Sequence, residues 1–402
     1  MQDIRERFIN LGIDFAPGQE GSLEDKISAL AVGGNIPGAP VDFSHGDVDA
    51  FTPSPGAFEA FQRGVQEGGQ QAYTEYSGRL SIREVLAQRL TNFTGASIAP
   101  SPEMIITPGT QGALFLAMAA CVGAGDHVAI VQPDYFANRK LVEFFGGVVR
   151  PVRLDYEDKS PAMLNLDQLE EAFHSGVKTF VFSNPNNPTG VVYTAEQIRS
   201  IAELANTYDA TVIVDQLYSR LRYEGTQYTH LRASGINPDN CLTIMGPSKT
   251  ESLSGYRLGV AFGSASVISR MEKTQAIVSL RAPGYNQAVL DTYFNEPEGW
   301  LDERILGHQA IRDDLVRLFT EAGYATRVPE AGSYLFPRLP DLNVGTEEFV
   351  KLARLQTNVT VTPGAEFSPL HGHSIRLNYS QDRNNAVAAV ERLIELAKRY
   401  TR

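Results

Sequence analysis

Short hydrophobic runs recur along the middle of the chain, between about residues 103 and 263. Runs such as VAIV in DHVAIVQP and VIV in ATVIVDQLY are separated by stretches whose apolar residues have helical spacing. Continuous apolar runs of this length are typical of strands buried on both faces, and their alternation with helices is typical of a mostly parallel sheet. The pattern therefore predicts an α/β fold, in which a large domain has three layers, α/β/α, around such a sheet.

The two ends of the chain have a different pattern. Residues 1–45 indicate a helical arm, a loop and a short strand, and amphipathic helices are predicted at about 56–67 and 77–95. Beyond residue 285, a long helical stretch, short strands in GSYLFPRL and SIRLNYS, and a final helix in DRNNAVAAVERLIELAKRY predict a smaller α+β domain. We therefore expect an N-terminal arm that joins the small domain (1–45), a large ligand-binding domain (46–285) and a small C-terminal domain (286–402).

Composition narrows the classes of function. The chain has 402 residues and a net charge of −12, and this acidic balance disfavours binding to nucleic acid. It contains no apolar run of the ~18 residues that a membrane helix needs, and MQDIRERFIN lacks the apolar core of a secretory signal. The two cysteines, Cys121 and Cys241, stand among apolar residues, and the histidines have no zinc-type spacing. We expect a cytoplasmic protein that binds neither a membrane nor a metal ion.

Polar clusters follow the predicted strands at four points: PGTQG, SNPNNPTG, DQLY and GPSK. In open α/β sheets, ligands bind outside the carboxyl ends of the strands, so we expect these clusters to form one site. Lys249 in GPSK offers an amine that condenses with an aldehyde to form an imine. Ser248 and Arg257 flank it, and a guanidinium is a natural bidentate partner for a phosphate. PGTQG begins a helix, whose free amides favour an anion.

Further residues fit an aromatic, phosphorylated aldehyde in the same place. Asp215, at the end of TVIVD, needs a cationic partner if it is buried, and a protonated pyridine nitrogen meets that need. Tyr218 and Asn187 are able to reach ring oxygens, Tyr135 offers a face for stacking, and Arg376 suits a substrate carboxylate. Each of these residues, taken alone, also suits an ordinary structural role in a solvated loop, a capped turn, a core aromatic cluster or an edge strand. The interpretation therefore depends on the fact that all of them fit the same ligand.

Five motifs occur in a familiar order. They are SNPNNPTG, D-x-x-Y at 215–218, SKT at 248–250, GYRLG at 255–259 and RLNYS at 376–380. Through them, nearly the whole chain resembles the class I/II aminotransferases, fold type I pyridoxal-phosphate-dependent enzymes of the aspartate aminotransferase superfamily. The resemblance implies pyridoxal 5'-phosphate as cofactor, an L-amino acid and a 2-oxo acid as substrates, and a homodimer with its active sites at the interface.

The resemblance also implies roles for matching residues. Lys249 would form the imine with the cofactor and move the proton, Asp215 would pair with the pyridine nitrogen, and Tyr218 and Asn187 would contact the ring 3-oxygen. Tyr135 would stack on the ring. The phosphate would be held by residues from three motifs: Gly109, Thr110, Gln111, Ser248 and Arg257, with Tyr73 reaching the phosphate of the neighbouring subunit. The substrate α-carboxylate would bind Arg376, helped by Asn187 and the backbone of Gly46.

Two departures from the family pattern leave alternatives open. Gly246 stands where many members have a phosphate-binding serine, and Gln216 where many have glutamate. A lyase, cyclase or oxidase on the same scaffold therefore remains an alternative outcome, whereas the intact lysine and its partners disfavour a binding protein without turnover.

The sequence contains only weak signals for the side chain of the preferred amino acid substrate. Arg281 would select an acidic side chain if it faces a partner's pocket, or it lies at the surface. Acidic residues in or near the N-terminal segment would instead favour a cationic substrate: Glu20, Asp25, Asp47 and Asp49.

Overall fold

The structure is a computed structural model that describes residues 5, 8, 11, 25–45, 50–157 and 160–402. In its first half, six helices and five strands have both ends within the described residues. They are α1 (Asp25–Ala29), β1 (Val41–Asp42), α2 (Ala57–Gln66), α3 (Gly69–Ala72), α4 (Leu80–Thr94), β2 (Met104–Pro108), α5 (Gly109–Cys121), β3 (His127–Gln132), α6 (Phe136–Phe144), β4 (Val148–Asp155) and β5 (Met163–Leu164).

The second half continues the alternation and then changes character. Its elements are α7 (Leu166–His174), β6 (Thr179–Ser183), α8 (Ala195–Tyr208), β7 (Thr211–Asp215), β8 (Cys241–Met245), β9 (Leu258–Gly263), α9 (Ala265–Val278), α10 (Trp300–Glu321), β10 (Tyr334–Leu335), α11 (Thr346–Thr357), β11 (Val359–Thr360), β12 (Thr362–Pro363), β13 (Ile375–Asn378) and α12 (Arg383–Tyr400). Short 3₁₀ segments include Ser254–Tyr256 and Tyr285–Thr292.

A central sheet of eight strands has the order β2-β9-β8-β7-β6-β3-β4-β5. The pairs β3–β4, β3–β6, β6–β7 and β7–β8 are parallel, whereas β9 runs antiparallel to both of its neighbours. Every residue of β6, β8 and β9 is buried, as expected for strands covered on both faces. The predicted α/β fold with a mostly parallel sheet is confirmed.

Local sequence explains where the covering helices begin. Thr194 accepts a hydrogen bond from the amide of Gln197 (3.2 Å), and the Gln197 side chain accepts one from the Thr194 amide (3.0 Å). This reciprocal capping box starts α8, whose residues Ile198, Ile201, Ala202 and Ala205 then face the sheet. The core on this side is therefore fixed by helical spacing of apolar residues.

A separate apolar cluster joins the two ends of the chain. Ile27, Ile36, Val41 and Phe43 are buried with residues of α10 to α12 and of the strands between them. β1 pairs in parallel with β11, and β10 and β12 both pair antiparallel to β13. Within the described ranges, no helix is long and apolar enough to cross a lipid bilayer.

Candidate active site

One edge of the sheet collects the predicted site residues. Because β2, β3, β6, β7 and β8 run in the same direction, their carboxyl ends meet there, and β9 begins there because it runs the opposite way. A cavity of about 240 Å³ opens at this edge. Among the predicted residues, its lining includes Thr110, Gln111, Tyr135, Asn187, Asp215, Tyr218, Ser248, Lys249, Arg257 and Arg376.

The start of α5 forms an anion-binding cradle. Gly109 has a φ of +78°, and a Cβ atom there would lie 2.5 Å from Nη2 of Arg257, so only glycine lets the guanidinium approach. A Cβ atom on Gly259 would lie 2.6 Å from the amide nitrogen of Thr110. Arg257 itself stands in the left-handed region, with a φ of +52°. Backbone strain and close approach thus direct a guanidinium and a helix N-terminus at one position.

Gly246 is explained by the same cradle. A Cβ atom at this position would lie 2.7 Å from Cγ2 of Thr110 and 3.1 Å from the carbonyl oxygen of Leu258. The Thr110 side chain therefore fills the space that a serine at position 246 would need. This packing accounts for the departure from the family pattern.

The loop after β8 carries the lysine and is tied down by backbone hydrogen bonds. The amide of Leu253 donates to the carbonyl of Pro247 (3.0 Å), and the amide of Ser54 donates to the carbonyl of Glu251 (3.0 Å). Within the described part of the chain, the buried Oγ of Ser248 has no hydrogen-bond partner. Because buried hydroxyls are normally hydrogen-bonded, this one is available to a ligand.

Asp215 is a carboxylate that no cation of the described residues pairs with. It ends β7, and the amide of Leu217 donates to its Oδ1 at 3.0 Å. Burial raises the pKa of Asp215 from 3.8 to about 6, and the hydrogen bond from Leu217 opposes this shift. No ion pair joins Asp215 to another described residue. A cationic ligand atom would therefore stabilise it strongly.

Asp134 fixes the turns that carry Tyr135 and Asn187. Its carboxylate accepts hydrogen bonds from the amide (2.9 Å) and the hydroxyl (2.6 Å) of Ser183, and from Nδ2 of Asn186 (3.4 Å). The amide of Asn187 then donates to Oγ of Ser183 (3.0 Å), and the hydroxyl of Tyr135 donates to Oε1 of Gln111 (2.9 Å). Burial raises the pKa of Asp134 to about 7. This buried network holds the ends of β3 and β6 in register.

Arg376 enters the cavity from β13. Its side chain is 2% exposed, Nη1 donates to Oδ1 of Asn187 (3.3 Å), and Nη2 donates to the carbonyl oxygen of Ser44. Nε lacks a partner, and no carboxylate of the described residues forms an ion pair with the guanidinium. A buried unpaired cation is costly, so this side chain is suited to a carboxylate ligand.

Comparisons with known proteins place this chain in a family. Residues 40–393 match the family described as aminotransferase class I and II. The chain belongs to the class I and II aminotransferases. Of the solved structures, an aspartate aminotransferase from Rhodobacter sphaeroides 2.4.1 is 60% identical, with a TM-score of 0.93, over 99% of this chain and 100% of that chain.

Curated relatives agree with this assignment. The aspartate/prephenate aminotransferase of Thermus thermophilus is 29% identical over 89% of this chain and 91% of its own. The aromatic-amino-acid aminotransferase 2 of Thermococcus litoralis is 24% identical over 88% and 90%. The protein is therefore a pyridoxal-phosphate-dependent aminotransferase of fold type I, and the individual roles of its site residues stay predictions.

Some predicted residues of the aminotransferase lie away from the cavity. Tyr73 is 74% exposed, and its ring lies 3.5 Å from the guanidinium carbon of Arg281. Arg281 is half-buried, does not line the cavity, and has no hydrogen-bond partner for Nε and Nη1 in the described residues. Gly46, Glu20, Asp47 and Asp49 lie outside the described residues, and Asp25 lies in α1.

Other residues of the aminotransferase site were missed by sequence reasoning. Tyr334, Ser44, His45 and Ser183 line the cavity, and Asp134 supports it from behind. Their sequence signals are weak, because a tyrosine in a strand or a serine at a strand end is common in any core. The one available signal was the position of Asp134 directly before the predicted stacking residue.

Proposed function

We propose that this aminotransferase binds pyridoxal 5'-phosphate in the cavity and transfers an amino group between an L-amino acid and a 2-oxo acid in two half-reactions. The observation that carries the proposal is an amine, Lys249, in the same cavity as an unpaired carboxylate, Asp215, and an anion cradle. An aldehyde, a pyridine nitrogen and a phosphate are the three groups that this set would bind.

The donor set fits each part of the cofactor. The α5 N-terminus with Thr110 and Gln111, the guanidinium of Arg257 and the orphan hydroxyl of Ser248 suit the phosphate. The carboxylate of Asp215 suits a protonated pyridine nitrogen. Tyr135 offers a ring face, and Tyr218 and Asn187 offer donors to the 3-oxygen.

Pyridoxal phosphate supplies an electron sink for the pair that remains when a Cα proton is removed. Lys249 is the only amine among the described residues that line the cavity. It is therefore the group that removes the Cα proton of the amino acid and, in the reverse half-reaction, returns a proton to Cα. Arg376, with Asn187, binds the α-carboxylate and so fixes the orientation of the substrate. Asp215 remains ionised when a cation faces it, and so keeps that cation protonated.

The assembly and location belong to the same proposal. Apolar side chains are exposed on and beyond α9, including those of Ile277 (85% exposed) and Val278 (58% exposed). They are close in sequence to Arg281, whose guanidinium contacts the ring of Tyr73. A second copy of the chain would cover this surface and bring Tyr73 to a neighbouring phosphate. Cys121 and Cys241 are both free thiols, which suits the cytoplasm. We also keep the division into an arm (1–45), a large cofactor domain (46–285) and a small domain (286–402).

Aspartate is the donor to test first, because the relative that is 60% identical is an aspartate aminotransferase. A set of other amino acids, including glutamate, phenylalanine and lysine, tests the aromatic and cationic alternatives. The role of Arg281 is tested with Arg281→Ala, which would raise the KM for aspartate if this side chain binds the second carboxylate.

The experiment follows the visible absorption of the pyridoxal-phosphate-loaded protein as amino acids are added. We expect the yellow colour to bleach in proportion to the donor, an equimolar 2-oxo acid to appear, and 2-oxoglutarate to restore the colour. Lys249→Ala protein is the control and should show none of these changes. Release of ammonia or of a cyclised product without the aminated cofactor would instead identify a lyase or cyclase, and consumption of oxygen would identify an oxidase.

A further inference from the structure

Tyr334 connects two residues of the proposed site that lie on different elements. It is 5% exposed, lines the cavity and belongs to β10. Its hydroxyl oxygen accepts a hydrogen bond from the hydroxyl of Tyr218 at 2.6 Å, and its ring centroid lies 4.4 Å from the guanidinium carbon of Arg376. One side chain thus contacts both the predicted ring-oxygen donor and the predicted carboxylate-binding cation.

The hydrogen bond between the two tyrosines determines the direction of the Tyr218 hydroxyl hydrogen. Burial and the neighbouring Tyr334 raise the pKa of Tyr218 well above its ordinary value, so this hydroxyl stays protonated. A phenol has one hydrogen to donate, and that hydrogen is directed at Tyr334. Tyr218 therefore cannot donate the same hydrogen fully to a ligand oxygen while Tyr334 accepts it.

The aromatic contacts of Arg376 surround a guanidinium with which no described carboxylate forms an ion pair. The guanidinium lies between two aromatic rings, with its carbon 4.4 Å from the centroid of Tyr334 and 4.7 Å from that of Phe367. Asn187 and the carbonyl of Ser44 accept hydrogen bonds from its edge. Ring faces attract a desolvated cation without neutralising it, so Arg376 keeps its charge for a carboxylate.

The backbone at Tyr334 is held by hydrogen bonds of Gly332 and by pairing with β13. The amide of Gly332 donates to the carbonyl of Leu221 (2.8 Å), and the hydroxyl of Tyr379 donates to the carbonyl of Gly332 (3.0 Å). Tyr334 pairs with Asn378, two residues from Arg376 on β13. The position of the Tyr334 ring therefore follows from the fold, and its two contacts form together.

We propose that Tyr334 is a positioning residue, whose hydroxyl directs the hydrogen of Tyr218 and whose ring holds the guanidinium of Arg376 ready for a substrate carboxylate. This inference rests on the proposed function, since it assumes that the cofactor's 3-oxygen lies beside Tyr218. Its two halves are separable, because Tyr334→Phe removes only the hydroxyl and Tyr334→Leu also removes the ring.

Tyr223→Phe is the matched control. Tyr223 is also a buried tyrosine whose hydroxyl contacts another tyrosine, Tyr379, at 2.8 Å, but it does not line the cavity. Its hydroxyl also donates to the carbonyl of Gly332, which keeps its hydrogen bond from Tyr379 in the variant, so this control reports any effect of weakening that backbone anchor. Three measurements are made on each protein: the pH dependence of the visible absorption with pyridoxal phosphate bound, the Kd of the dicarboxylate maleate, and the urea midpoint without cofactor.

Tyr334→Phe leaves Tyr218 without its acceptor, so its hydrogen turns to the ring 3-oxygen and favours the anionic form of that oxygen. The pKa read from the visible absorption should then fall by about 0.5–1 unit, with maleate affinity within about twofold of wild type. Tyr334→Leu should additionally weaken maleate binding by roughly 5- to 30-fold, the range expected for losing a cation–π contact. Tyr223→Phe should change neither quantity.

An unchanged or raised absorption pKa in Tyr334→Phe would overturn the assignment for the hydroxyl. Equal maleate affinities in Tyr334→Leu and Tyr334→Phe would overturn the assignment for the ring. Changes of the same size in Tyr223→Phe would reduce Tyr334 to a structural residue. If the wild-type protein takes up no pyridoxal phosphate, the proposed function itself is refuted. The outcomes for the variants concern only the role of Tyr334, so the two failures are distinguishable.

Discussion

Asp215→Asn should stabilise the aminotransferase when no cofactor is bound. The wild-type carboxylate is half-buried at the end of β7, where it is partly desolvated, and it lacks a cation among the described residues, so its charge destabilises the folded chain. Asparagine keeps an oxygen for the amide of Leu217, which donates to Oδ1 of Asp215 at 3.0 Å, and removes the charge. The variant therefore isolates the electrostatic cost of preparing the site.

The size and pH dependence follow from the pKa of Asp215. Burial raises it from 3.8 to about 6, so the folded chain holds this proton more tightly than the unfolded chain does. The associated stability is complete below pH 4 and is lost as the pH rises through 6. The charge then costs about 1.5 kcal/mol at pH 5.0 and about 3 kcal/mol at pH 7.5. Asp215 is only half-buried and lines the cavity, so both values are upper bounds.

The assay is urea unfolding of protein purified without cofactor, followed by far-ultraviolet circular dichroism at pH 5.0 and pH 7.5. The advantage of Asp215→Asn over wild type should increase by about 1.5 kcal/mol between the two pH values. The control is Asp239→Asn, which removes an exposed carboxylate from a turn and should give the same difference at both pH values.

Adding pyridoxal phosphate should reverse the order of stability. A pyridine nitrogen that becomes cationic beside Asp215 compensates the wild-type charge, whereas asparagine offers it no counter-charge. The cofactor should therefore raise the urea midpoint of wild type more than that of the variant. If the advantage of Asp215→Asn without cofactor is independent of pH, Asp215 is not a desolvated carboxylate and the reasoning fails.

Three further substitutions test other parts of the site. Arg376→Leu should raise the KM for the amino acid donor at least 100-fold in steady-state kinetics, because a buried bidentate carboxylate contact is lost; an unchanged KM would exclude Arg376 as the carboxylate site. Arg220→Met should lower the free energy of unfolding, measured in urea, by about 3–5 kcal/mol, because the buried carboxylates of Glu251 and Glu296 lose their cation. An unchanged free energy of unfolding would mean that water replaces the guanidinium. Gly246→Ala should lower the thermal midpoint through its clash with Cγ2 of Thr110, and adding Thr110→Ser should restore part of the loss; no restoration would place the clash elsewhere.

The sheet was predictable because its signal is local. Each strand is a continuous apolar run and each covering helix has its own spacing and caps, so alternation along the chain was sufficient to predict a mostly parallel sheet. The direction of β9 was not predictable from its sequence, since an antiparallel strand buried on both faces has the same composition. That direction matters, because it brings Arg257, directly before β9, to the edge of the sheet where the parallel strands end and the cavity opens. The helix α9 (Ala265–Val278) was also absent from the prediction.

The site was predictable only where its residues belong to motifs. Lys249, Asp215 and Asn187 stand in short polar segments that follow strands, and their convergence follows from the sheet. Tyr334 was missed because its contact with Tyr218 joins residues 116 positions apart and depends on how β10 packs against the loop after β7. No local pattern in GSYLF encodes that contact, so a folded structure was needed to find it.

Two charged groups with incomplete sets of partners lie together in the ligand site. Elsewhere, some buried cations have acidic partners, such as Lys140 with Glu366 at 2.7 Å and Arg232 with Glu103 at 2.8 Å. Others, such as Arg83 and Arg392, donate to backbone carbonyls through both Nε and a terminal nitrogen. At the carboxyl ends of the parallel strands, the half-buried Asp215 has no cationic partner among the described residues, and Nε of the buried Arg376 has no acceptor there. Because a desolvated charge without its partner lowers stability, the presence of two such groups in one cavity supports the view that their partners arrive with the ligands. A cation is missing beside Asp215 and an anion beside Arg376, as a pyridine nitrogen and an amino acid carboxylate would supply.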